Sequence, residues 1–230
     1  MGCVTLSQAG SGVTATAAPV GELEPVRGVQ GQWDRRDRIL DAALAAASAG
    51  GYEAVQMRVV AERAGVAIGT LYRYFPSKVH LLVSALCRQF ERVEAADDRA
   101  DRGGTAYQRL SHKIGQLNRV VQRDPLLAEA MTRAFVFADA SAAGEVERVA
   151  ALFDRIFART IAGQRKPSER HHQIARVISE VWLSNLLAWV TRRASITDVG
   201  QRLDIVVRLL VGDGHRPTAS GVVGSGGRGE

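Results

Sequence analysis

The chain has 230 residues, 46% of them hydrophobic, and a formal charge of +6, enough to bury one sizeable core and biased towards a polyanionic partner. Its two cysteines, Cys3 and Cys87, exclude a disulfide framework and a cysteine metal site, and no run approaches the ~18 apolar residues of a membrane-spanning helix. The N-terminal segment has neither a basic start nor an apolar stretch, so no secretory signal is expected and a cytoplasmic location follows.

Residues 1–32 are rich in Gly, Ala, Ser, Thr and Pro without periodicity, as are residues 213–230. Neither can repay the entropy of ordering, and both are expected to be flexible arms. Between them the chain reads helical almost throughout, with Gly or Pro mainly at the breaks. The first helix is expected from Asp34, as its cap, to Ala49, with Ile39, Leu40, Ala43, Leu44 and Ala47 as the buried stripe and Gly50-Gly51 as the stop. Arg35, Arg36 and Arg38 alternate with Asp34, Asp37 and Asp41 and read as a solvated face.

A second, short helix is expected over Arg58 to Ala64, a tight turn at Ala64-Gly65, and a third helix from Ala67 to before Pro76. Two short helices joined through a glycine turn are the signature of a helix-turn-helix. On the third helix Ile68, Leu71, Tyr72 and Phe75 fall at i, i+3, i+4 and i+7, so that face is expected to be buried, with the Tyr72 ring at its border and the hydroxyl reaching outward. Ala67, Gly69, Thr70, Arg73 and Tyr74 then point away. Small residues allow close approach to a surface, and Thr70 and Arg73 can hydrogen-bond base edges and phosphates. Ser77 is expected to cap the next helix. Lys78 in its first turn opposes the helix dipole unless it shares a phosphate with the free N–H groups, and Arg58 can reach the backbone on the other side.

The stretch Ala61, Ala64, Gly65, Val66, Gly69, Thr70, Leu71, Tyr72, Tyr74, Phe75, Ser77, Lys78 and Leu81 resembles the DNA-binding segment of the TetR family of one-component transcriptional regulators. The resemblance implies that Gly69, Thr70, Tyr72, Arg73 and Tyr74 face double-stranded DNA and that Lys78 clamps a phosphate. Two positions depart from the family pattern: Ala67, often serine, where a capping bond is lost, and Gln56, usually threonine.

A long helix over Ser77 to Ala95 runs from this head into the remainder, where helices are expected over 105–123, 126–140, 145–162, 168–193 and 196–211. The fold class expected is therefore all-α, about nine helices in total, with a three-helix helix-turn-helix domain over 33–80 and a larger helical domain over 81–212; the resemblance implies DNA binding for the first and effector binding and dimerisation for the second. Phe135, Phe137, Phe153, Phe157, Trp182 and Trp189, with Met131, Leu152, Ile156, Val177 and Val181, are expected to form one apolar cluster. Two readings fit it: a packed core, or the walls of the apolar effector cavity that the resemblance implies, with Asn185, Ser184 or Arg133 orienting the ligand.

The last two helices have apolar faces broad enough for the core and a second surface. The resemblance implies a homodimeric four-helix interface, and a single head covers only a half-site, so a palindromic operator is expected. The segments at 70–86, 123–146 and 175–195, within a likeness that runs from about Gln32 to Gly212, also look like a branch of the family in actinobacteria that represses cholesterol catabolism. That likeness implies release by a steroid intermediate, expected to be a coenzyme A thioester. An activator, or a regulator of another apolar-ligand pathway, remains the alternative. His80, His112, His171, His172 and His215 are scattered and are expected to be solvated. No catalytic constellation, metal site or cofactor motif stands out, so the expectation is a regulator and not an enzyme.

Overall fold

The computed structural model describes residues 26–96 and 103–212, the side chains of 26–30, 32 and 96 excepted. The expected arms before residue 26 and after residue 212 lie outside the described residues. Among the described residues there are nine α-helices and no strand: α1 (Val26–Ala54), α2 (Met57–Ala64), α3 (Ile68–Tyr74), α4 (Lys78–Ala96), α5 (Ala106–Arg123), α6 (Pro125–Val136), α7 (Ala143–Ala162), α8 (Glu169–Val190) and α9 (Ile196–Val211).

The α1 stripe is buried as its spacing requires, with Ile39, Leu40, Ala43 and Ala47 at 0% exposure. Its start differs from expectation. The helix begins at Val26, so Asp34 sits in its interior and caps nothing; no proline follows Pro25 to break the run. Gly50 and Gly51 do interrupt it, because Gly51 takes φ +68°, a left-handed conformation that costs other residues energy. The last turn, Tyr52–Ala54, is thereby swung onto α6. There the Tyr52 N–H donates to the Glu129 carboxylate at 3.2 Å.

α4 is the shared beam, packing on α1, α6 and α7. Arg88 binds the Asp37 carbonyl at 2.6 Å and the Asp41 carboxylate at 3.2 Å, and Arg92 binds Asp41 at 2.8 Å. At its far end Glu94 takes both arms of Arg155 on α7, at 3.0 and 2.8 Å.

α6 ends earlier than the sequence suggested, at Val136. The Asp139 carboxylate accepts from the Ser141 N–H and hydroxyl and starts a separate 3-10 turn over Ala140–Ala142. α5, α7, α8 and α9 complete the body. Arg109 of α5 donates to the carbonyls of Thr160 and Ile161 at 2.8 and 2.7 Å, satisfying the last turn of α7. No helix of the described residues is long and apolar enough to cross a membrane.

Candidate nucleic-acid interface and effector cavity

The head is built around Gly65. At φ +64° it ends α2 with its N–H on the carbonyls of Ala61 and Glu62, and the Val66 N–H returns to Ala61. This reversal sets α3 across α2. Leu71 (0%) and Phe75 (2%) are buried and fix the rotation of α3 about its own axis. Ala67 caps α3 without a side-chain bond, as expected from its lacking a hydroxyl.

The buried arc does not lie where the spacing suggested. Ile68 is 40% and Tyr72 48% exposed, whereas Thr70 and Tyr74 are half-buried, with Tyr74 packed against the core. At about 100° per residue the inward arc runs from Thr70 through Tyr74 and Leu71 to Phe75. The outward arc is Ile68, Tyr72, Gly69 and Arg73, with Ala67 exposed ahead of it. The reason is that a short helix held from one side by α2 buries one narrow strip, which takes in Tyr74 and leaves Ile68 outside it. Arg58, Arg63 and Arg73 are exposed around this face, with no carboxylate at ion-pair distance among the described residues.

Lys78 stands at the junction of head and body. Its amine lies 3.8 Å from the centre of the Tyr52 ring and 4.0 Å from the Glu53 carboxylate. Burial lowers its pKa, Glu53 works against that, and Arg133 adds to it. Arg133 of α6 covers the same ring at 4.5 Å and binds Glu53 at 3.0 Å and Glu129 at 3.8 Å. Arg133, expected to orient an effector, therefore belongs to this junction, because α6 turns it away from the apolar interior. His80 is a second correction: it is buried, not solvated. Its Nε2 donates to the Ser141 carbonyl at 3.0 Å and its Nδ1 accepts from the Ser77 hydroxyl at 2.9 Å, tying the start of α4 to the 3-10 turn. Ser77 also receives the His80 N–H at 3.5 Å, as a cap does.

Deeper in the body, α4, α6, α7 and α8 line an apolar cavity of about 140 Å³ that opens to the surface beside the exposed Ala150 and Glu180. Phe135, Phe153 and Trp182 line it, with Leu86, Val149, Ala150, Leu183 and Leu186; Thr132, Ser179 and Glu180 are the polar residues on its wall. Phe90, Phe153 and Trp182 pack mutually at 4.9–5.7 Å between ring centres, and the indole N–H is held by Asn118 at 3.0 Å. Met131 lines a smaller neighbouring cleft. Phe157 lies behind the wall, stacked on Phe153. Ser184 is exposed and Asn185 donates to the Val181 carbonyl of its own helix, so neither faces the cavity. Phe137 (63%) and Val177 (44%) are exposed, outside the cluster they were assigned to. The aromatic residues were the signal for Phe135, Phe153 and Trp182, and the spacing of Ser179, Leu183 and Leu186 on α8 was the available signal for the rest of that wall.

α6 thus carries Thr132 and Phe135 to the cavity and Glu129 and Arg133 to the junction. α4 carries Leu86 to the cavity and Lys78 and His80 to the junction.

Residues 39–85 match the profile described as bacterial regulatory proteins, tetR family, and residues 103–210 match the tetracyclin repressor-like C-terminal domain. The chain is 68% identical over 191 residues to the HTH-type transcriptional repressor KstR of Mycolicibacterium smegmatis, covering 83% of this chain and 93% of that one. It is 57% identical over 213 residues to the repressor of the same name from Rhodococcus jostii, covering 93% and 99%. Among solved structures, a TetR transcriptional regulator from Rhodococcus sp. RHA1 superposes with a TM-score of 0.73 at 30% identity, covering 80% of this chain and 98% of that one.

Proposed function

Since the chain belongs to the TetR family of bacterial transcriptional regulators, we propose that it binds a palindromic operator as a homodimer, represses genes of cholesterol or other steroid catabolism, and is released by a steroid-derived coenzyme A thioester. The observation that carries this reading is the identity with named KstR repressors over 93% of the chain, the effector-binding body included. On this reading residues 33–80 form the reading head and 81–212 the sensing and dimerising body, with α4 crossing between them. Gly69, Tyr72 and Arg73 enter the major groove after Ala67, Thr70 and Tyr74 flank them, Arg58 meets the backbone, and Lys78 shares its charge between Tyr52 and a phosphate. A second copy packs on α8 and α9, where Val177, Ile205 (57%) and Leu209 (80%) are exposed apolar residues. Two heads at fixed spacing read two half-sites of inverted sequence.

The mechanism follows from the size of the cavity. About 140 Å³ is well below the roughly 300 Å³ and more of ligand sites, so a steroid fits only where one of the lining helices α4, α6, α7 and α8 moves. Two of these four, α4 and α6, also hold the head. An effector that prefers the widened body disfavours the head spacing that fits DNA, and by linkage DNA disfavours the effector by the same factor. A coupling of about 2–3 kcal/mol corresponds to roughly 30- to 150-fold release. The test titrates operator-bound protein with steroid-derived and straight-chain acyl thioesters of coenzyme A. Release by the steroid compound at tenfold or more lower concentration, lost in Ala150→Trp, which fills the cavity edge, supports the reading. Equal release by both compounds would assign the protein to another acyl effector.

A further inference from the structure

We propose that Ile68 determines operator specificity by packing on a thymine methyl group in the major groove, with Tyr72 closing the contact from the next turn. This rests on the DNA-binding reading above. Ile68 and Tyr72 stand four residues apart, so they are neighbours on one helix face, and both are largely exposed at 40% and 48%. They are the large apolar residues on the outward face of the head, and a β-branched residue in so short a helix gives the fold no propensity gain.

The surroundings point to what covers the pair. Ala67 and Gly69 flank it, and a Cβ on Gly69 would meet nothing within 4 Å, so another surface can come close. Arg73 shares the outward arc of α3, and Arg58 and Arg63 of the preceding helix are exposed as well, positive charge that matches phosphate rows and opposes an apolar or basic protein partner. Between two phosphate rows the apolar group on a base edge is the C5-methyl of thymine. An isoleucine offers it no hydrogen bond, only contact, and so favours thymine over cytosine at that position.

The test uses the full-length protein and duplexes that it selects itself from a random pool. Each thymine of the half-site is replaced singly by deoxyuridine, which removes the methyl and retains every hydrogen-bonding group. Taking one methyl out of contact corresponds to about a fourfold loss of affinity for one half-site and about fifteenfold for both. The expected result is one such thymine per half-site, with the loss absent in Ile68→Ala protein whose thermal unfolding matches the parent. Uniform tolerance of deoxyuridine overturns the proposal while leaving DNA binding intact. So does a loss that persists in Ile68→Ala, or one that only Tyr72→Ala removes. Failure to select any duplex would strike the DNA-binding reading itself and this inference with it.

Discussion

A glycine inside a helix costs up to about 1 kcal/mol relative to alanine, and around Gly69 the chain leaves open space where a methyl group would go. The fold gives no reason for glycine there; the approach of a second molecule does. Gly69→Ala is therefore expected to raise the unfolding free energy by up to about 1 kcal/mol while weakening operator binding at least tenfold, measured by urea unfolding and fluorescence anisotropy on the same preparation. Loss of stability together with binding would show instead that the glycine serves packing. Cys87 behaves oppositely, as a residue the fold fully explains. Burial, then the neighbouring Glu91 carboxylate, pushes its thiol up to about 11 from an ordinary 9.0. A raised folded pKa means its contribution to stability is complete below about pH 9 and lost as pH rises through about 11. A Cys3→Ser protein should resist alkylation at pH 8 until unfolded, as mass measurement of the labelled chain would report. At this scale the sequence was legible where spacing alone decides burial, as for Leu71 and Phe75. It was not legible for Ile68 and Tyr72, because periodicity gives the order of residues around a helix but not where the edge of the buried arc falls.

Helix ends were legible wherever a backbone constraint marks them. Gly50-Gly51, Gly65 and Pro76 each stop or turn the chain as read. The early end of α6 was hidden, since it depends on the Asp139 side chain starting a new turn inside a run of helix-forming residues. Hidden too was the consequence of that end: α6 is a short rod with one face on the cavity and another on Tyr52. Arg133→Met keeps an unbranched apolar stem and removes the charge and the forked hydrogen bonding of the guanidinium. The ion pair with Glu53 is exposed on the carboxylate side and that with Glu129 is long at 3.8 Å, so the stability lost should be about 1 kcal/mol. Binding of operator alone and of effector alone should change little, while the factor by which effector weakens operator binding should fall by about 0.5–2 kcal/mol. Calorimetric titration of effector with and without operator measures that factor. A purely structural arginine would lower the melting temperature and leave the factor as it was.

Across the whole molecule, the all-α class and the separate reading head could be inferred from composition and one motif, because both are local properties of the chain. The cavity could be inferred only in part. Phe135, Phe153 and Trp182 line it, but Arg133 and Ser184 do not, since which side of a long helix faces a void depends on three neighbouring helices at once. The void is lined by rings that pack on one another, Phe153 on Trp182, and is smaller than the compound proposed to fill it, so the walls must part before a guest can settle. Uptake should then proceed in two stages, with the observed rate levelling off at high metabolite concentration in rapid-mixing fluorescence of the tryptophans. A rate that climbs linearly without limit would mean the chamber is already open. A plateau would make the regulator a timer: brief surges of metabolite would pass unanswered, and only sustained supply would keep the genes switched on.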